Sequence, residues 1–158
     1  MDDTREKLAA LLREEAELQF GRFTYEDALN LGLRFVEVAR AEALPIAIDI
    51  SRSGQQMFHC AMPGSSPDND AWIQRKVRVV MRYHRSSFYI GQLCLSQGVS
   101  FEDKSRLDRD LYAAAGGGFP LIIRDVGVVG CVAVSGLPQA QDHALLVRVL
   151  REFLAPAG

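Results

Sequence analysis

Two stretches of this chain read as strand–turn–strand hairpins, one over residues 46–62, which opens on an alternating pattern, and the other over 119–134. Ile46, Ile48 and Ile50 share one face of a strand, with Ala47 and Asp49 on the other. A one-residue slip would turn all three isoleucines out of a core, so the register of this strand is tightly specified. Ser51-Arg52-Ser53-Gly54 reads as a hairpin turn, and Gln55 to Met62 runs back with Phe58, Cys60 and Met62 on one side. The second hairpin runs from Phe119 to Ile123 and from Gly127 to Val134, turning at Arg124-Asp125. An isolated hairpin is marginal in water. The two are therefore expected to pair into one antiparallel sheet.

The rest of the chain has helical spacing. Residues 4–20 form a charged helix with Leu8, Leu11, Leu12 and Leu18 on its apolar side, broken at Gly21. Thr24 caps a second helix, with Asp27 at the capping-box position and Leu31, Phe35 and Val38 as its core stripe, and Pro45 ends it. Two helical stretches, about 69–85 and 86–97, separate the hairpins. A last helix opens with Pro138 in its first turn and runs to about Phe153. This order predicts an α+β fold in which helices 24–43 and 138–154 flank an antiparallel sheet. Residues 1–158 are expected to form a single domain with residues 1–20 as an extra N-terminal helix. There is no strand followed by a Gly-rich loop of the Rossmann or P-loop kind.

Charge narrows the function. Lys+Arg 18 against Asp+Glu 20 leaves a net charge of −2, which argues against a broadly electropositive nucleic-acid binder. No apolar run approaches the roughly 20 residues of a membrane span, and the Met1-Asp2-Asp3 start is acidic where a signal peptide is basic. The odd number of cysteines, Cys60, Cys94 and Cys131, points to reduced thiols and a cytoplasmic location. No two histidines, and no Cys–His pair, have the local spacing of a zinc site, so no metal is expected. A nucleophile elbow, a catalytic-cysteine signature and a local carboxylate dyad are also missing, and the residues alone identify no reaction.

The middle helix is the most unusual element. Ile73, Val77, Val80, Met81 and His84 fall along one stripe, while Arg75, Arg78, Arg82 and Arg85 fall opposite. Trp72, Lys76, Val79 and Tyr83 make a third face. From Ala71 to Phe101 there are five cations and no carboxylate, where a surface helix would intersperse acids. Either this is an anion-binding or subunit-facing surface, or the acids come from elsewhere in the fold. The second apolar face, Trp72, Val79 and Tyr83, predicts a homo-oligomer of at least two copies, unless the N-terminal helix covers it. Gly116-Gly117-Gly118 either lets backbone approach a ligand or is a plain loop. Ser135-Gly136-Leu137-Pro138 offers free backbone donors at a helix start, as an anion site or as a simple cap. His143, with Val147, Leu150 and Leu154 at helical spacing, is either a ligand or proton carrier or a core-edge histidine. Together Trp72, Arg75, Lys76, Gly117, Gly118, Ser135 and His143 are expected around one ligand-binding cleft or subunit boundary.

Several separate motifs occur in an order that resembles a known family. They are Ile48-Asp49-Ile50, Gln55-Gln56-Met57-Phe58, Pro67-Asp68-Asn69-Asp70-Ala71-Trp72 with Arg75-Lys76, and Arg85-Ser86-Ser87. Gly117-Gly118-Phe119-Pro120, Gly127 to Gly130, and Ser135-Gly136-Leu137-Pro138 with Asp142-His143 follow. The chain is similar over nearly its whole length to the haem-degrading domain family (GlcG/HbpS-like), in the branch known as an uncharacterised protein family. The resemblance implies a profilin-like fold, homo-oligomers, and a small anionic or tetrapyrrole ligand, haem among them, with Asp142-His143 as the histidine motif carried over. It equally allows a non-enzymatic oligomeric interaction or assembly module.

Overall fold

The computed structural model describes residues 2–156. Its elements are α1 (Asp2–Glu17), α2 (Tyr25–Glu42), β1 (Ala47–Arg52), β2 (Gln55–Ala61), α3 (Pro67–Tyr83), α4 (Ser87–Ser96), α5 (Phe101–Ser105), β3 (Gly118–Ile123), β4 (Gly127–Ser135) and α6 (Gln139–Leu154). The two hairpins join through β1 and β4 into one antiparallel sheet of order β2-β1-β4-β3. Ile48 stands opposite Val134 and Ile50 opposite Val132, so the register that buries the isoleucines also joins the hairpins. The fold is the α+β arrangement that the helix and hairpin order predicts.

One face of the sheet carries Ile46, Ile48, Ile50, Phe119, Leu121, Val132 and Val134, all fully buried against α2 and α6. Thr24 closes the expected capping box: Asp27 N donates to its Oγ1 and Thr24 N donates back to the Asp27 carboxylate. The other face is covered only in part. α3 lies across β4 and β3, where Ile73 and Val80 pack on Ala47, Cys131 and Ala133, and the β2 side is left open.

Three expectations change. Pro138 stands at the N-cap of α6, just outside the first turn, because its ψ of 144° is extended and the helical turns begin at Gln139. Val79 is not on an exposed second face. It is fully buried with Ile90, Cys94 and Phe101, and Tyr83 meets Phe101 edge-on, because α4 and the one-turn α5 of the same chain fold over it. α1 does not cover that face either. It docks on α4, with Leu11 buried, and reaches α6 through side-chain pairs, Glu14 with His143 and Glu17 with Arg151.

Candidate functional site

The rotation of α3 sets up the site. Its buried side includes Ile73, Val79, Val80 and, unexpectedly, Lys76. A lysine enters a core only when its ammonium is paired and hydrogen-bonded. Lys76 Nζ donates to Asp142 Oδ2 (3.2 Å) and to Val134 O (3.1 Å), with the two side chains 4% and 2% exposed. Burial pushes the Lys76 ammonium down from its ordinary value, against the opposing charge of Asp142. Burial likewise pushes the Asp142 carboxyl up, with Lys76 and the Leu137 and Gly136 backbone groups resisting. The pair thus ties α3 to α6 across the end of β4.

Gly117 makes room for it. Its φ is +128°, and a Cβ there would lie 2.4 Å from Val134 O and 2.5 Å from Lys76 Nζ. Only glycine fits such a backbone against such a neighbour. Gly118 follows against Val80 and Lys76, its N–H donating to the buried Ser87 Oγ at 2.9 Å.

Above the pair opens a cavity of about 390 Å³, lined among others by Asn69, Trp72, Lys76, Ser135, Gln139 and Asp142. Asn69 Nδ2 donates to Ser135 Oγ at 3.4 Å. Trp72 is also in the wall of an adjoining cavity of about 490 Å³, with Arg75, Arg109 and Tyr112. The Arg75 guanidinium lies over the indole, 4.1 Å from the ring centroid. Two neighbouring cavities therefore share one aromatic wall, with a cation in each.

Of the residues expected together, Trp72, Lys76 and Ser135 line one cavity, Gly117 and Gly118 pack beneath Lys76, and Arg75 stacks on Trp72 from next door. His143 stands apart. Its ring stacks on Phe88 (centroids 4.9 Å), its Nε2 lies 2.8 Å from Glu14 Oε1, and its buried Nδ1 has no partner among the described residues. Asp142, seen in the sequence only as the neighbour of His143, is the residue that reaches the cleft. The other cations find mixed partners: Arg78 of α3 donates to Leu111 O, and Arg85, just past the end of α3, pairs with the buried Glu15 of α1.

This geometry defines a class: an α+β domain in which a helix-flanked antiparallel sheet carries a cleft floored by a buried ion pair. Residues 23–151 match the model of the HbpS-like haem-degrading protein family, and the chain belongs to that family. A Streptomyces coelicolor protein named UPF0303 is 54% identical over 151 residues, 96% of each chain. An Edwardsiella ictaluri UPF0303 protein is 44% identical over the same share. The solved structure of the Ybr137w protein superposes with a TM-score of 0.85 at 35% identity, covering 92% of this chain and 86% of that one. A PduOC:heme complex shares the fold at a TM-score of 0.69 and 19% identity, over 84% and 94% of the two chains.

The family raises haem as a ligand, and the side chains test it. Iron in haem is held axially by His, Cys, Met or Tyr. The cavity over Lys76 and Asp142 is lined by carboxylate, amide, hydroxyl, amine and indole groups instead. His143 is enclosed behind Phe88 and engaged by Glu14. Trp72, Arg75 and Arg109 fit the flat face and carboxylates of a tetrapyrrole; among the described residues no axial iron ligand lines the cavity over Lys76, whereas the adjoining cavity has Tyr112 and the buried Cys94 thiol in its wall.

Proposed function

We propose that this chain is a binding protein for a planar anionic small molecule of the tetrapyrrole class. The ligand's ring would lie on Trp72 and its carboxylates would turn to Lys76 on one side and to Arg75 and Arg109 on the other. The observation that carries this is the shared Trp72 wall between two cavities of about 390 and 490 Å³, with Arg75 and Arg109 in the second and the Lys76–Asp142 pair at the floor of the first. Membership of the HbpS-like family supports the ligand class. The test is a visible titration with haemin and with metal-free protoporphyrin. Both are expected to saturate at one per chain, to weaken at least tenfold in Trp72→Ala, and to be unchanged in His143→Ala. Binding of haemin alone, abolished by His143→Ala, would overturn the proposal in favour of an iron-ligated haem.

The working form is a homo-oligomer of at least two copies. What supports it is exposed apolar surface: Tyr25, Leu29 and Leu33 recur at i, i+4 and i+8 along α2, and Trp72, Met81 and Tyr83 of α3 are 36–37% exposed. A solution mass near 17.5 kDa by light scattering would refute it. The same surface supports the second reading, a non-enzymatic assembly module, which saturable porphyrin binding would displace. The free thiols Cys60, Cys94 and Cys131 support the cytoplasmic location. Among the described residues no helix is long and apolar enough to cross a membrane.

A further inference from the structure

On the other flank of α3, where the helix leaves β1 and β2 uncovered, lies a groove of about 590 Å³. Its floor is Asp49 of β1. Its walls are the Ile73, Val77 and Met81 side chains of α3, and its rim carries Gln56 and His59 of β2 with Asp70 of α3. Asp49 is only 8% exposed. Buried charges are ordinarily paired with an opposite charge. Among the described residues the other buried ionisable groups obey this: Glu15 has Arg85, Lys76 has Asp142, and His143 has Glu14. Asp49 has only a neutral amide, Gln56 Nε2 donating to Oδ2 at 2.5 Å. Its other oxygen, Oδ1, has no hydrogen-bond partner among the described residues and is not sealed in, so it opens on the groove. The nearest imidazole, His59, is taken by Asp70 at 2.7 Å, which leaves Asp49 facing a second carboxylate across the cavity. Burial pushes the Asp49 carboxyl up, with the Gln56 hydrogen bond and His59 opposing and Asp70 adding to the rise. Arg78 also borders the groove, but its guanidinium donates to Leu111 O.

The geometry points to a second binding site, distinct from the Trp72 cleft, for a small primary ammonium compound with a short aliphatic body. Its cation would complete the charge of Asp49, Gln56 and Ser51 would take its remaining N–H donors, and its chain would lie along Ile73, Val77 and Met81. The volume and the mixture of an apolar wall with a few convergent polar groups are those of a small-molecule site.

The probes are the n-alkylammonium chlorides from methyl to hexyl, with n-butanol and butyrate as uncharged and anionic controls. Backbone amide shifts are followed by two-dimensional NMR on the whole chain. Saturable shifts at Ser51, Gln74 and Gly130 are expected for the ammonium series alone, with affinity rising as the chain lengthens and at least a tenfold loss in Asp49→Asn. Since that variant changes a buried position, a second readout uses the unaltered protein: bound butylammonium should move the Asp49 carboxyl carbon's titration midpoint to lower pH. Shifts that do not saturate, equal shifts with butanol, or a midpoint that stays put would overturn the proposal. So would a midpoint indifferent to ammonium together with a fall in solution mass in Asp49→Asn, which would mean that a second copy fills the groove.

Discussion

The pair of Lys76 and Asp142 makes a quantitative demand on stability. Both side chains are almost wholly buried, and each has little beyond the other to satisfy its charge. Replacing Asp142 by Asn keeps the shape and an oxygen for Leu137 N, but leaves the Lys76 ammonium with Val134 O as its main remaining acceptor. Breaking a buried pair in this way costs about 3–5 kcal/mol, because an uncompensated charge stays in the interior. Replacing both, as Lys76→Met with Asp142→Asn, removes the charge altogether and should return stability to within about 1 kcal/mol of the starting protein. Urea unfolding of the four proteins in the cycle measures this, with the slope expected to stay constant and the midpoint to move. A pH series adds an independent sign. In Asp142→Asn the lysine loses the charge that opposes its desolvation, so its folded value falls further below its unfolded one. Such a group binds fewer protons when folded, so stability rises with pH between those two values. The single variant should therefore recover on the alkaline side and the double variant should not. A loss under about 1 kcal/mol in Asp142→Asn, or equal losses in single and double variants, would refute the argument that the pair is buried and mutually dependent.

Three further outcomes are expected. Gly117→Ala forces a Cβ into Val134 O and Lys76 Nζ at a left-handed φ, and should cost about 1–3 kcal/mol in a urea midpoint; an unmoved midpoint would show that the loop relaxes freely. Glu14→Ala leaves His143 buried without its acceptor, for about 1–3 kcal/mol, and should speed hydrogen exchange in α1 more than in β1 or β4; uniform exchange would mean that α1 does not hang on this contact. The Asp49 carboxyl is raised in the folded chain, so its contribution to stability falls as pH rises from the unfolded to the folded value. In the absence of any ligand Asp49→Asn should accordingly be more stable than the parent at pH 7, an advantage that fades in acid, and a difference independent of pH would contradict the burial assigned to Asp49.

How much of this was legible in the residues depended on whether the signal was local. The Ile46/Ile48/Ile50 alternation and the Thr24/Asp27 cap are read within a few positions, and both stand in the structure where their spacing puts them. α5 has only five residues and no periodicity to show, although Ser100 with Asp103 three residues on is a capping signal that pointed to it. The placement of Lys76 was not local. A lysine between Trp72, Val79 and Tyr83 looks like surface until Asp142, 66 residues away, supplies its charge. With Lys76 inside, Val79 lies under α4, while Met81, on the same stripe as the buried Ile73 and Val80, borders an open groove. Periodicity gives the faces of a helix; long-range ion pairs decide which face is inside.

The same rotation explains why α3 borders cavities of opposite character. Asn69, Trp72 and Lys76 recur at intervals of three and four and face the sheet's β4 end, where Asp142, Ser135 and the uncapped start of α6 meet them. Asp70, Ile73, Val77 and Met81 recur in the same way on the opposite flank, above Asp49 and the exposed side of β2. One flank therefore offers cations around an indole, and the other a lone buried carboxylate below an aliphatic wall. On the first flank Lys76 already has Asp142, so an anion would be drawn by Arg75 and Arg109, whereas on the second Asp49 has no cation of its own among the described residues. Because a single rigid helix forms both walls, a ligand that shifts α3 along its axis in one cleft must change the shape of the other. Coupling of that kind is reciprocal. Butylammonium at saturating concentration should therefore change the porphyrin affinity of the Trp72 cleft, and an affinity that stays the same with and without butylammonium would show that α3 does not link the two clefts.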